Sequence, residues 1–247
     1  LHANVLKKRS RRSKSDAPQN RLLAALPAAE SRRLMGMMEQ VDLKMKQSLF
    51  EPNEPIHHVF FPLAGVSSMV AEMEDGDLVE IATVGNEGMV GVALFLGSVT
   101  SAMRAFQQIP GPALRMTARD FTREVNAGGP LPQLLRRYTQ ALFTQIAQST
   151  GCNRLHPIEE RCARWLLQTH DRVGRDEFPL THEFLAQMLG VRRATVTVAM
   201  GALQRAGFVE YKHGVIRVLD RKSLERSSCE CYRIIADEYD RLLNGNR

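Results

Sequence analysis

Leu180-Thr-His-Glu-Phe-Leu-Ala-Gln-Met-Leu-Gly-Val-Arg-Arg-Ala-Thr-Val-Thr-Val-Ala-Met-Gly-Ala-Leu203 is the stretch from which the rest of the chain can be read. Thr181 suits a helix N-cap, because its hydroxyl can accept a hydrogen bond from an exposed first-turn amide. Leu185 and Leu189 give that helix an inward face, and Ala186 is small where a second helix must approach. Gly190 falls where the chain needs a left-handed residue to leave the first helix. Val191 plugs the turn, and Val196, Ala199 and Leu203 recur at helical spacing on the second helix. Apolar and small residues at these offsets are what two helices crossing steeply over one core require.

The outward face then decides the chemistry. Arg192, Arg193, Thr195 and Thr197 crowd the first turns of the second helix, and no acid follows until Glu210. Solvated helix faces usually mix signs, so an acid-free cluster with small side chains fits a DNA groove better. Recognition helices present their N-terminal residues to base edges, and Arg to guanine is the commonest specific contact. Gly207-Phe-Val-Glu-Tyr-Lys-His-Gly214 and Val215-Ile-Arg-Val218 read as a two-stranded wing, with Lys212, His213 and Arg217 within reach of phosphates. The candidate DNA contacts are Thr181, His182, Arg192, Arg193, Thr195, Thr197, Lys212 and His213.

Upstream, Gly128-Gly-Pro130 opens a helix, since Pro is tolerated in the first turn. Leu131, Leu135, Tyr138, Leu142 and Ile146 recur along it at three- and four-residue steps. Packing on the preceding domain or pairing with a second copy would explain this stripe. One recognition helix reads only a few base pairs, and such modules usually act as dimers on half-sites about 34 Å apart. Pairing is therefore the expectation, with those five residues as the dimer interface. Arg154-Leu-His-Pro157 breaks the helix, and Ile158, Cys162, Trp165, Leu166 and Thr169 begin the next amphipathic face.

Residues 50–118 have a different texture. His58-Val-Phe-Phe61, Gly65–Ala71, Leu78–Ala82, Ala105–Ile109 and Ala113–Met116 are strand candidates, and Asp75-Gly76-Asp77 is a hairpin turn. Short strands with regular turns predict a small antiparallel roll. Residues 21–49 read as short helices, with Leu22, Leu23 and Leu26, then Leu34, Met37, Met38 and Val41, at helical spacing. The fold class is thus α+β: an N-terminal antiparallel, jelly-roll-like β-roll, a long dimerisation helix and a C-terminal winged helix-turn-helix. The expected boundaries are a disordered basic tail over 1–20, a sensor roll over 21–128, the helix over 129–154 and the winged domain with a C-terminal helix over 155–247.

The formal charge of +6 over 247 residues is poor support for a nucleic-acid reading. Six Lys/Arg against Asp16 give the first twenty residues +5, which leaves +1 for all the rest. From Arg192 to Arg217, by contrast, five Lys/Arg meet one acid. Local clustering carries the argument. No apolar run approaches the roughly 20 residues of a membrane span, and the basic start lacks the apolar region of a secretory signal, so a cytoplasmic chain without a membrane partner is expected. Cys152, Cys162, Cys229 and Cys231 do not form paired C-x-x-C motifs, so reduced thiols and no metal site are expected. His57-His58 is the densest histidine pair, but neighbouring strand residues point to opposite faces, and no catalytic constellation is found. The chain is read as a non-enzyme.

A β-rich N-terminal domain, a long helix and a C-terminal winged helix together resemble the Crp/Fnr family of bacterial transcription regulators. The resemblance spans about residues 21–220 and is most specific over Pro157–Leu219, including Ile158-Glu-Glu-Arg-Cys-Ala-Arg-Trp-Leu-Leu167. It implies a homodimer on a palindromic promoter site, contact with RNA polymerase, and a roll related to cyclic-nucleotide-binding domains. Arg193 matches the family's base-reading arginine, and Thr181 the residue that caps the first motif helix and touches phosphate. Ala194 replaces the usual glutamate, and Val198 stands where cAMP-responsive members carry a second arginine, so a different operator is expected.

In the effector region the resemblance aligns Gly91-Val92-Ala93 with the family's Gly-Glu-Leu/Ile, and Arg104 with its phosphate-pairing arginine, thirteen residues on. Gly91, Val92 and Arg104 are the candidate effector residues. An alternative register puts Glu87, within Gly85-Asn-Glu-Gly88, in the glutamate's role. Valine cannot accept a hydrogen bond from a ribose hydroxyl, so cAMP is not expected. The Fnr-type N-terminal cysteine cluster is missing too, no cofactor is expected, and the effector's identity stays open.

Overall fold

The structure is a computed structural model that describes residues 19–243. The basic tail expected over 1–20 therefore lies almost wholly outside the described residues. Two short helices lead, α1 (Arg21–Ala24) and α2 (Ala28–Met35). Helical spacing does not continue through Met38 and Val41 as expected. The chain turns at Gly36, and β1 (Glu39–Leu43) pairs antiparallel with a later strand. Glu39-Gln-Val-Asp-Leu43 alternates polar and apolar residues at its C-terminal end, which suits a sheet better than a helix.

The roll follows as β2 (Ser48–Phe50), β3 (His58–Pro62), β4 (Val66–Glu72), β5 (Leu78–Val84), the short helix α3 (Val92–Phe95), β6 (Arg104–Ile109) and β7 (Gly111–Thr117). One sheet has the order β1-β7-β3 and the other β2-β6-β4-β5. The β4–β5 hairpin turns at Gly76, whose φ of 86° a side chain would strain. β4 is buried on both faces from Val66 to Val70, with the Ser67 and Ser68 hydroxyls bonded to Gln107 and Gln108 of β6. Met69 joins the roll's interior, whereas Val66 and Val70 pack with residues of the C-terminal domain. A helix unforeseen in the sequence, α4 (Ala118–Asn126), closes the roll. Its start was nevertheless encoded: the Thr117 hydroxyl caps the Asp120 amide at 3.1 Å.

The long helix is α5 (Pro130–Leu155), 26 residues or about 39 Å at 1.5 Å per residue. Its expected dimer stripe faces inward. Leu131, Leu135, Tyr138 and Leu142 are buried, and Ile146 is half-buried against the roll's core. The Tyr138 hydroxyl donates to the Met89 carbonyl at 2.9 Å. Gly88 makes this fit possible, since a Cβ there would lie 2.5 Å from the Tyr138 ring. Within one chain, the roll and the C-terminal helix are the stripe's partners. The face that α5 leaves to solvent carries Gln140, Phe143 and Ala147, with Phe143 65% exposed.

The C-terminal domain comprises α6 (Ile158–Val173), β8 (Glu177–Pro179), α7 (His182–Leu189), α8 (Arg193–Arg205), β9 (Val209–Lys212), β10 (Val215–Val218), α9 (Arg221–Arg226) and α10 (Glu230–Leu243). The wing has three strands rather than two, in the order β8-β10-β9. Chain reversal returns α10 onto α5, where Ile235, Tyr239 and Leu243 enter the roll's core.

Buried polar contacts hold this domain to the roll. Arg172 of α6 donates through Nε to Glu87 at 2.8 Å and through Nη2 to Gln145 of α5 at 3.3 Å. Gly85 lies against the Arg172 stem so tightly that a Cβ would meet it at 2.3 Å. The Trp165 indole donates to Glu80 at 2.9 Å, and the Ser68 hydroxyl to the same carboxyl at 3.0 Å. Phe184 of α7 meets Phe106 of the roll edge-on, with centroids 6.4 Å apart.

Candidate nucleic-acid interface

Local sequence builds the helix pair. The Thr181 hydroxyl accepts from the Phe184 amide at 3.1 Å, and Gly190 leaves α7 in the left-handed region at φ 62°. Leu185, Ala186, Leu189, Val196, Ala199 and Leu203 are all buried in one core with Trp165 and Ile216. That burial fixes the rotation of α8, so the intervening residues must face out. Arg192, Arg193, Ala194, Thr195, Thr197 and Val198 are exposed.

Arg193 has one weak anionic neighbour, Glu183 at 3.8 Å, and its side chain is 69% exposed. Arg192 sits at the N-cap with no side-chain capping bond. Lys212 and His213 are exposed at the wing tip, where His213 adopts a φ of 50°. Arg217 is committed elsewhere: Glu177 and Glu210 flank it on the sheet. Exposed positive charge therefore stands at the start of α8, on Arg192 and Arg193, and at the wing tip, on Lys212.

His182 and Thr197 engage each other. The Thr197 hydroxyl donates to the Arg193 carbonyl at 3.0 Å. Its one proton is thus spent, so the 3.1 Å contact with His182 Nδ1 has the imidazole as donor. The ring also stacks on Tyr211, 4.2 Å away. Burial, and then the charge of Arg193, push the His182 pKa down. A neutral His182 that ties α7, α8 and the wing together is a brace for the recognition surface.

The candidate effector residues do not converge. Gly91 takes a φ of 101° ahead of α3, and Val92 is packed into the roll's apolar core. Arg104 lies at the start of β6, 3.2 Å from Glu51, with its guanidinium 5.8 Å from the Phe106 ring. It borders an apolar cleft of about 430 Å³ between roll and winged domain, which Leu78, Phe106 and Phe184 also line. Glu87 is buried and held by Arg172 and by the Gly85 amide at 3.1 Å, so it is a strut between domains. The resemblance placed these residues by sequence alignment alone, and a buried valine and a salt-bridged glutamate do not make a nucleotide site.

Sequence spacing also hid a cluster. Cys152, His156, Cys229 and Cys231 come together here: Cys152 and Cys229 are 77 residues apart in sequence, yet their sulfurs are 3.5 Å apart.

Residues 160–227 match the family model of the Crp-like helix-turn-helix domain. That part of the chain is a Crp-like helix-turn-helix domain. The transcriptional regulator SdrP of Thermus thermophilus is 32% identical over 117 residues, which are 44% of this chain and 58% of that relative. The alignment thus spans less than two thirds of the curated relative's length. Among solved structures, FixK2 from Bradyrhizobium japonicum superposes with a TM-score of 0.67 at 15% identity, covering 78% of this chain and 98% of that one. A Crp/Fnr-family regulator from Eubacterium rectale gives 0.64 at 17% identity, covering 86% and 97%. At such identities these two share the fold. Among the described residues, no helix is long and apolar enough to cross a membrane.

Proposed function

We propose that this chain is a sequence-specific, DNA-binding transcription regulator that grips a palindromic promoter site as a homodimer. The observation that carries the reading is the exposed, acid-free start of α8: Arg192, Arg193, Thr195 and Val198 stand outward on a helix whose rotation its buried face fixes. Arg193 reads guanine, Thr195 and Val198 meet base edges, and Thr181, Lys212 and His213 meet phosphates. Such contacts divide into those that position the protein and those that specify sequence.

Residues 155–247 act as the DNA-binding unit, 129–154 as the dimer helix and 21–128 as the sensor. Since the inward stripe of α5 is occupied, the pairing face is the one with Gln140, Phe143 and Ala147. The chain acts in the cytoplasm, and RNA polymerase is the onward partner that the likeness to Crp/Fnr regulators suggests. Regulation is independent of cAMP: a buried Val92 leaves a ribose hydroxyl unpaired, at a cost of about 1–3 kcal/mol.

Selection of bound duplexes from a random pool by the full chain, followed by footprinting on the winning sequence, tests this reading. A palindrome with half-sites about one helical turn apart, bound with an affinity that falls steeply with salt, is expected. Equal affinity for selected and random duplex at moderate salt would sink it.

A further inference from the structure

The hinge between α5 and the winged domain meets the start of α10 in a cluster of four side chains. Cys152 lies in the last turn of α5 and His156 caps that helix, while Cys229 and Cys231 bracket the first residue of α10. Their Sγ and imidazole N atoms all lie within 4.8 Å of one another. Cys152 and Cys229 sulfurs are 3.5 Å apart, and the Cys231 sulfur is 3.7 Å from His156 Nδ1. Two thiolates on one ion at about 2.3 Å bond length are some 3.8 Å apart in a tetrahedron and can never exceed about 4.6 Å. The 3.5 and 3.7 Å spacings lie just under the tetrahedral value, and no pair of donor atoms is more than 4.8 Å apart. Thiolates on different irons of a cluster would be separated further by the metal–metal distance.

We propose that Cys152, His156, Cys229 and Cys231 bind a single zinc ion as a closed tetrahedral Cys3His site. Three thiols lose their protons to solvent on binding, and His156 binds neutral through Nδ1. Three thiolates around a dication leave a net charge of −1. The surroundings fit that charge. The buried Arg164 donates through Nε to the Cys152 sulfur at 3.2 Å, and Glu230 faces the other ring nitrogen of His156 at 3.4 Å. A carboxylate on the distal nitrogen of a ligating histidine orients the ring and raises its basicity. Zinc suits this set because it takes thiolate and imidazole together in tetrahedral structural sites. The four donors come from both sides of the winged domain, so the ion clamps α10 to the hinge.

Elemental analysis of the full chain, purified under reducing conditions, is the test, and its readout does not depend on DNA binding. About one zinc per chain is expected, lost in the C229S/C231S double variant and kept in His156→Cys. Glu230→Gln should weaken zinc affinity about 10- to 100-fold. Should the double variant fail to fold, cobalt exchanged into the wild-type chain must show thiolate-to-metal charge transfer and intense tetrahedral visible bands. A weak octahedral cobalt spectrum, a metal-free chain whose thiols react freely or pair as a disulfide, or iron with acid-labile sulfide would each overturn the proposal. A zinc-loaded chain that ignores DNA would leave the site standing and remove the regulatory reading instead.

Discussion

Arg193 projects from α8 with its guanidinium almost unshared, since the 3.8 Å contact to Glu183 lies between two exposed side chains and water screens such pairs to little value. Arg193→Ala should therefore leave folding intact and weaken specific binding by about 1–3 kcal/mol, relaxing one base position. Titration of selected and mismatched duplexes measures this. Glu80 behaves differently. Loss of hydration raises its pKa from the ordinary 4.5 to about 7, against the opposing bonds from Ser68 and Trp165. Because the folded value is the higher, its contribution to stability is complete below 4.5 and fades as pH rises to about 7. Wild-type Tm should fall across that window relative to Glu80→Gln, as calorimetry at stepped pH will read. Equal slopes for both chains would count against it. The outward position of Arg193 could be read from sequence because its own helix sets it. Glu80 could not, because its partners lie 12 and 85 residues away.

Among the elements, α5 is the instructive case. Its apolar period was plain in the residues, but periodicity reports that a face is covered and not by what. Tyr138 and Leu142 meet the roll and α10, and the opposite face keeps Phe143 in water. If the pairing reading is right, Phe143→Glu should shift the chain from dimer to monomer in analytical ultracentrifugation while its circular dichroism stays unchanged. A dimer that survives the change would move the interface elsewhere. Local signals served well where one element sufficed: Thr181 and Gly190 fix the ends of α7 as their residue types foretell. They failed at Met38 and Val41: the chain has left the helix before Met38, and at Val41 cross-strand pairing with β7 overrides helical spacing. In β8 three residues are too few to announce a strand, and its place is set by β10.

Across the whole molecule, the roll and the winged domain are joined through polar side chains that water does not reach. Removing one partner of a buried pair strands the other's charge, at a cost of about 3–5 kcal/mol. Glu87→Ala should therefore lower Tm sharply, while Arg172→Met with Glu87→Met should recover much of the loss. Thermal melts of the single and double variants decide this, and additive losses would show that the pair is not coupled. That joint was invisible beforehand, since Glu87 and Arg172 are distant in sequence and each alone reads as an ordinary surface charge. Once met in space, they leave the Gly85-Asn-Glu-Gly88 loop with a mechanical duty rather than a ligand.

The tight seating of Gly85 on the Arg172 stem carries that duty further. A contact without slack, ending in an ion pair shielded from solvent, does not yield by degrees. Any rearrangement that swings the DNA-reading helices relative to the roll has to release this rivet whole, so the chain should toggle between two settings with little population in between.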